Sequence, residues 1–295
     1  MENNSFEKIA TRVSFVSIFG NLLLSIFKFI AGIVANSTSM LSDAVHSSSD
    51  VFSSIVVIIG VKISSKASDK DHPYGHERLE CVAAIILATV LFITGGVIGL
   101  SAVQKIIAGS FLTSTVPGML ALVAAVVSII SKEAMFWYTK INAKKIDSSA
   151  LMADAWHHRS DALSSVGALI GIGGARLGFP IMEQLASIVI CVFIVKASVD
   201  IYKDAIDKMV DKACDENTEK ELRRCVEEQN GVLGIDLLQT RMFGNKIYVD
   251  LEISADGNRP LKETHAVAER VHDVIEERFP KIKHIMVHVN PAEIK

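Results

Sequence analysis

Six apolar stretches, near residues 13–35, 38–64, 81–106, 116–139, 148–174 and 180–202, are each long enough to cross a bilayer as a helix. A hydrocarbon core of about 30 Å needs about 20 apolar residues at helical rise. Lipid offers no partner to a backbone N–H or C=O, so each such run must satisfy its own hydrogen bonds. That restricts the first two thirds of the chain to a bundle of helices. Half of all residues are hydrophobic, more than most soluble proteins carry. The first residues lack a basic n-region and a small-residue cleavage site, so the first run is expected to stay as a span.

Charge is distributed unevenly. Residues 203–295 hold 34 of the 63 Asp, Glu, Lys and Arg residues, which sets off a polar domain after the bundle. The expected division is a transmembrane domain over 1–208 and a second domain over 209–295. Lys8 and Arg12 precede the first span, Lys66, Lys70 and Arg78 separate the second from the third, and Lys140, Lys144 and Lys145 separate the fourth from the fifth. The alternate loops, 35–38 and 109–115, carry no charge. By the positive-inside rule this predicts an integral, multi-pass cell-membrane protein with both termini in the cytoplasm. A net charge of −3 gives no overall basic character to attract nucleic acid, and no G-x-x-x-x-G-K-[ST] occurs to bind a nucleotide. Cys81, Cys191, Cys214 and Cys225 show no C-x-x-C spacing and are read as free thiols.

The second and fifth runs are the least apolar, and they share a pattern. Asp43-Ala-Val-His46-Ser-Ser-Ser-Asp50 and Asp154-Ala-Trp-His157-His-Arg-Ser-Asp161 both read D-A-x-H-x-x-S-D. Residues four apart share a helix face, so His46 with Asp50 and His157 with Asp161 each form an imidazole and carboxylate pair. Two facing pairs supply the four N/O ligands of a tetrahedral divalent metal. Counted from the span ends, Asp50 and Asp161 both lie about 18 to 20 Å deep. A carboxylate there costs about 2.5–3.5 kcal/mol on insertion scales unless it faces a partner, water or an ion. Asp43 and Asp154, one turn before each His, are candidates either to orient the imidazole or to bond neighbouring helices. His158 and Arg159 point off the His157 face, and Arg159, which cannot ligate a cation, is expected to pair locally.

A second cluster lies in the loop after the second run, where Asp69, His72 and His76 fall within eight residues and Pro73 and Gly75 can bend the chain between the histidines. It reads either as a metal site or as a solvated loop. Beyond residue 200, periodicity predicts a helix over 216–229, strands over 234–241 and 246–253 around Gly244-Asn245, a helix over 260–279 and a strand over 282–289. This α-β-β-α-β order predicts a small α+β domain. Its polar candidates are Asp236, Asp250, His265 and His288, then His284 and His272, each open to a metal or a purely solvated role.

Taken together, the six spans, the two H-x-x-x-D pairs, the loop D-x-x-H-P-Y-G-H and the terminal α-β-β-α-β pattern resemble the cation diffusion facilitator family of divalent-metal transporters. The resemblance covers nearly the whole chain. It implies an all-α six-helix transmembrane domain followed by a cytoplasmic ferredoxin-like α+β domain, assembled as a homodimer that exports metal in exchange for protons. It implies a transport site at His46, Asp50, His157 and Asp161, and a loop site at Asp69, His72 and His76. It further implies regulatory metal binding at the cytoplasmic dimer interface by Asp236, Asp250, His265 and His288, although Asp236 and Asp250 stand where some members have His and Asn290 where some have Asp. It also implies an interlocking pair of Arg78 with Asp211. Two His and two Asp resemble the zinc pattern of the family, and imidazole favours zinc, cobalt, nickel or iron(II) over magnesium, calcium or manganese. Zinc is therefore the expected substrate. The alternatives are manganese, iron(II), cobalt or cadmium efflux by the same fold, a passive channel, and an intramembrane zinc-dependent hydrolase, for which no H-E-x-x-H is present.

Overall fold

The structure, a computed structural model, describes residues 2–34, 47, 50–109, 119–177, 179 and 181–293. The chain divides into two units, residues 3–205 and 206–295. The first comprises α1 (Glu2–Val34), α2 (Val51–Ser64), α3 (Leu79–Ala108), α4 (Met119–Ile146), α5 (Ser149–Arg176) and most of α6 (Met182–Met209).

In α1 the burial pattern is inverted relative to a soluble helix. Ser14, Ser17, Asn21, Ser25 and Lys28 are buried, while Phe15, Phe19, Ile26 and Ile30 face outward, Phe19 with 64% of its surface exposed. Water would penalise that arrangement. Lipid accepts the aromatic and aliphatic face, and the small polar residues let neighbouring helices approach closely. Three helical stretches among the described residues are long and apolar enough to span a membrane: Phe6–Ala31, Leu79–Ala108 and Gln184–Met209. The six-span expectation therefore meets a distinction. α4 and α5 lie where spans were expected and have 28 residues each, but they are not among those three; they carry charged side chains such as Lys132, Glu133, Asp154 and Asp161.

Helices α4 and α5 are joined by only Asp147 and Ser148, a connection short enough to make them antiparallel neighbours. Asp147 adopts φ 55°, and the Ser148 hydroxyl accepts the Leu151 N–H at 3.2 Å, so the turn caps α5 as it starts. Helix α5 packs against α2, α3 and α4 and is the hub of this unit. Gly60 of α2 lies so close to α3 that a β-carbon there would collide with that of Ala83. Gly60→Val is expected to cost about 1–3 kcal/mol by overpacking. A thermal melt of the purified protein checks this, and an unshifted curve would show that the two helices have room to separate.

The second unit runs α7 (Glu216–Glu227), β1 (Gly234–Phe243), β2 (Lys246–Asp256), α8 (Leu261–Arg278) and β3 (Ile282–Ala292). The sheet order is β1-β2-β3, with β1 antiparallel and β3 parallel to β2. This is the expected α+β arrangement, with strands two or three residues longer than periodicity indicates. Side chains alternate across a strand. Val249, Leu251 and Ile253 of β2 pack with Leu222 and Val226 of α7 and Val267, Val271 and Ile275 of α8 in one apolar core. The intervening Asp250, Glu252 and Ser254 face the opposite side of the sheet. Asp215 caps α7 by accepting the N–H groups of Asn217 and Thr218, and a hydrogen bond from the Thr218 hydroxyl holds its carboxyl below the usual carboxylate range. A depressed folded-state pKa contributes stability above the unfolded value and loses it as pH falls through the folded one. Asp215→Ala should cost about 1 kcal/mol near neutral pH, read as faster amide exchange in α7, with the difference from wild type vanishing in strong acid.

Candidate metal centre

Asp50 immediately precedes α2, and His157 and Asp161 lie one turn apart on α5. The three are brought together, with one donor atom from each within 4.8 Å of the others. All three are buried. His157 Nε2 lies 3.4 Å from Asp50 Oδ1. His46 and Asp43 lie outside the described residues.

The side chain that completes this cluster comes from α4. Lys132 Nζ donates to Asp50 Oδ2 at 2.5 Å, Asp161 Oδ2 at 2.8 Å and Asn21 Oδ1 at 2.8 Å. An ammonium has three protons, and each finds an acceptor. Lys132 is among the largest fully buried side chains of the chain. Its role escapes a reading built on metal ligands, because an ammonium cannot ligate. A signal was nonetheless present: Lys132 and Glu133 interrupt an apolar run, and an ionisable residue within a span is a functional candidate by default. Glu133 accepts from Arg159 at 2.6 Å, the local pairing expected for that arginine.

Asp154 is placed among other partners than His157. Its carboxylate accepts Ser53 Oγ at 2.8 Å and approaches Ser54 Oγ at 3.4 Å, both on α2, and lies 3.6 Å from His158 Nε2 on its own helix. His158 Nε2 in turn lies 3.2 Å from Ser17 Oγ of α1. This buried network ties α1, α2 and α5 together.

In the loop between α2 and α3, Asp69, His72 and His76 also offer donor atoms within 4.8 Å of one another. Asp69 Oδ1 accepts the His72 N–H at 2.8 Å, which folds the loop back, and Gly75 supplies the φ of 103° that closes it. His72 Nδ1 and His76 Nε2 lie 3.3 and 3.4 Å from the two Asp69 oxygens. His76 is buried while His72 and Asp69 are open to solvent. A hydrogen bond from Lys66, and then one from the His72 backbone, keep the Asp69 carboxyl well below its ordinary range, so it is ionised and ready for a cation at any physiological pH.

The four candidates of the second unit do not converge within one chain. Asp250 and His288 lie on the sheet face away from the helices. Asp236 sits at the β1 bulge, where it accepts from Ser254 and Asn290. These bonds, Asn290 first, lower its pKa. His265 is on α8 and pairs with Glu269 at 3.5 Å. The reason is topological: the helix stands on one side of the sheet and the three strand residues on the other. His272, also on α8, lies near Asp273 and Glu276, and His284 stacks near Tyr248. Arg78 occupies the N-cap position of α3 in the first unit, and Asp211, with φ 63°, follows α6 in the second.

Residues 14–210 match the family model described as the cation efflux transmembrane domain, and residues 214–292 match that of the cation efflux protein cytoplasmic domain. An uncharacterised transporter of Methanocaldococcus jannaschii is 36% identical, over 93% of this chain and 96% of its own length. Magnetosome protein MamB of a Magnetospira species is 30% identical over 100% of this chain and 99% of its own. Manganese efflux system protein MneP of Bacillus subtilis is 29% identical over 97% of each. Among solved structures, "MamM-CTD 215-293" is 22% identical, covering 26% of this chain and 98% of that one, with a TM-score of 0.26.

Proposed function

Because the chain belongs to the cation efflux, or cation diffusion facilitator, family of integral-membrane metal transporters, and so is a transporter rather than an enzyme, we propose that it is a proton-coupled antiporter. It carries a divalent transition metal out of the cytoplasm, with zinc as the first candidate. The observation that supports this most is the convergence of Asp50, His157 and Asp161 from two helices at one buried point. His46, four residues before Asp50, supplies the fourth ligand. A site buried among helices holds an ion strongly enough for a carrier and too strongly for a passive channel.

Only unprotonated imidazole and carboxylate bind metal, so metal and proton compete for the same atoms. Imidazole and carboxylate each bind either a proton or a metal ion through the same lone pair, which suits them to that exchange. On the cytoplasmic side the site takes the ion from water; after the helices rock, protons arriving from the other side displace it. Asp69, His72 and His76 form a second metal site at the loop, and both termini are cytoplasmic. The second unit dimerises, and metal shared by Asp236, Asp250 and His288 across two copies, with His265 on the helix side, regulates closure of the dimer. Such regulation requires different affinities for the open and closed states. A second reading, manganese as the substrate, is favoured by the relative named as a manganese efflux protein.

The test is uptake of zinc, manganese, iron(II) and cobalt into sealed vesicles bearing the purified protein, with and without an imposed pH gradient. The expected result is zinc accumulation that collapses with the gradient. Accumulation unaffected by the gradient would refute proton coupling, and preference for manganese would select the second reading.

A further inference from the structure

Building on the transport site just described, we propose that Lys132 is a tethered competitor for that site: its ammonium holds the two carboxylates in the place a substrate ion takes, and the ion binds only by displacing it. The geometry carries this. An ion bound to Asp50, His157 and Asp161 must approach each donor atom to about 2.0–2.2 Å. Lys132 Nζ already lies 2.5 and 2.8 Å from one oxygen of each of those carboxylates. Two cations crowded against the same two carboxylates in a buried space repel strongly. Ion and ammonium are therefore alternative occupants.

The lysine side chain is suited to yielding. It is a point charge on a flexible four-carbon stem, and its third acceptor, Asn21 Oδ1 on α1, lies outside the set of metal ligands. When the ion enters, the ammonium withdraws from the carboxylates while that contact offers it a resting place. Two consequences follow for specificity. A monovalent ion replaces one positive charge with another and gains nothing, so sodium and potassium are rejected. A divalent ion with affinity for imidazole gains both charge and a nitrogen ligand. Competition also lowers apparent affinity by the fraction of time the site is free of Lys132, which lets the ion leave on the far side.

The experiment measures zinc and manganese binding to the purified full-length protein in lipid nanodiscs by competition with a chromophoric chelator, alongside vesicle uptake, for wild type, Lys132→Gln and Lys132→Arg. Removing the competitor should tighten binding at least about tenfold, lower KM and slow turnover as release becomes limiting. Lys132→Arg retains a permanent charge and can grip both carboxylates with two prongs, so it should weaken binding at least about tenfold. Opposite signs are the signature, because a merely structural lysine would be harmed in the same direction by both changes. Equal directions, or unchanged binding in either variant, overturn the proposal. If Lys132→Gln does not fold, Lys132→Met takes its place as the uncharged variant, and the same opposite signs against Lys132→Arg are required. Wild-type protein that binds zinc yet moves none refutes the transport reading while leaving the binding comparison to judge Lys132. Wild-type protein that binds no ion refutes both.

Discussion

Asp161→Ala is expected to reduce metal uptake to background, a loss of at least about 100-fold, since even residues that merely orient metal ligands are worth 10–100-fold. The same substitution strands half of a buried ion network. Lys132 would keep Asp50 and Asn21 but lose the Asp161 oxygen at 2.8 Å. Removing one partner from a buried pair costs about 3–5 kcal/mol, because the remaining charge stays desolvated. Loss of transport and loss of stability must therefore be separated. Asp161→Asn preserves the shape and an oxygen acceptor for Lys132, so it should recover much of the stability while transport stays abolished. Asp50→Ala and Asp50→Asn should behave in parallel. Vesicle uptake and thermal melting on the same preparations check all four. Wild-type uptake in Asp161→Ala would remove this carboxylate from the transport site.

The second large effect is expected at Asp154, where the readout is stability before transport. Asp154 is wholly buried and accepts from Ser53 and Ser54 across the α2–α5 contact, with His158 beside it. Asp154→Ala leaves the Ser54 hydroxyl facing a cavity and takes from Ser53 one of its two acceptors, the Asp50 carbonyl at 2.8 Å remaining. The expected loss is about 2–4 kcal/mol, from unsatisfied buried donors and the broken carboxylate contact. Amide exchange should quicken in α2 as its bond to α5 is lost. Uptake should fall through a higher KM, since the Ser53 hydroxyl donates to the Asp50 carbonyl at 2.8 Å and links the two positions. An unshifted melt with unchanged exchange would show that water or another group replaces the carboxylate.

Much of this organisation was legible in the residues themselves. In the second unit, strict alternation along Ile247, Val249, Leu251 and Ile253 marked a strand with one buried face, and the Gly244-Asn245 step marked its turn. A period of two sorts side chains onto faces without reference to the rest of the chain. His157 and Asp161 were likewise readable as a pair, because helical spacing is local. Asp50 could be matched to them only through the repeated motif, which is a symmetry of the sequence rather than a contact.

Other features depended on which faces meet. Lys132 lies 82 residues from Asp50 and 29 from Asp161, and Asp154 lies 101 residues from Ser53. No local period links such residues; only the packing of α2, α4 and α5 brings them within hydrogen-bonding distance. The cytoplasmic candidates make the same point in reverse. Asp236, Asp250, His265 and His288 are all credible ligands by type, yet the sheet separates His265 from the other three. Sequence alone determined the membrane class, the order of elements and the local pair of His157 and Asp161, because apolar length, periodicity and helical spacing are properties of short segments. Tertiary structure alone decided which cation lies between Asp50 and Asp161 and which partners hold Asp154, because burying a charge is tolerable only where distant segments supply its counter-charge.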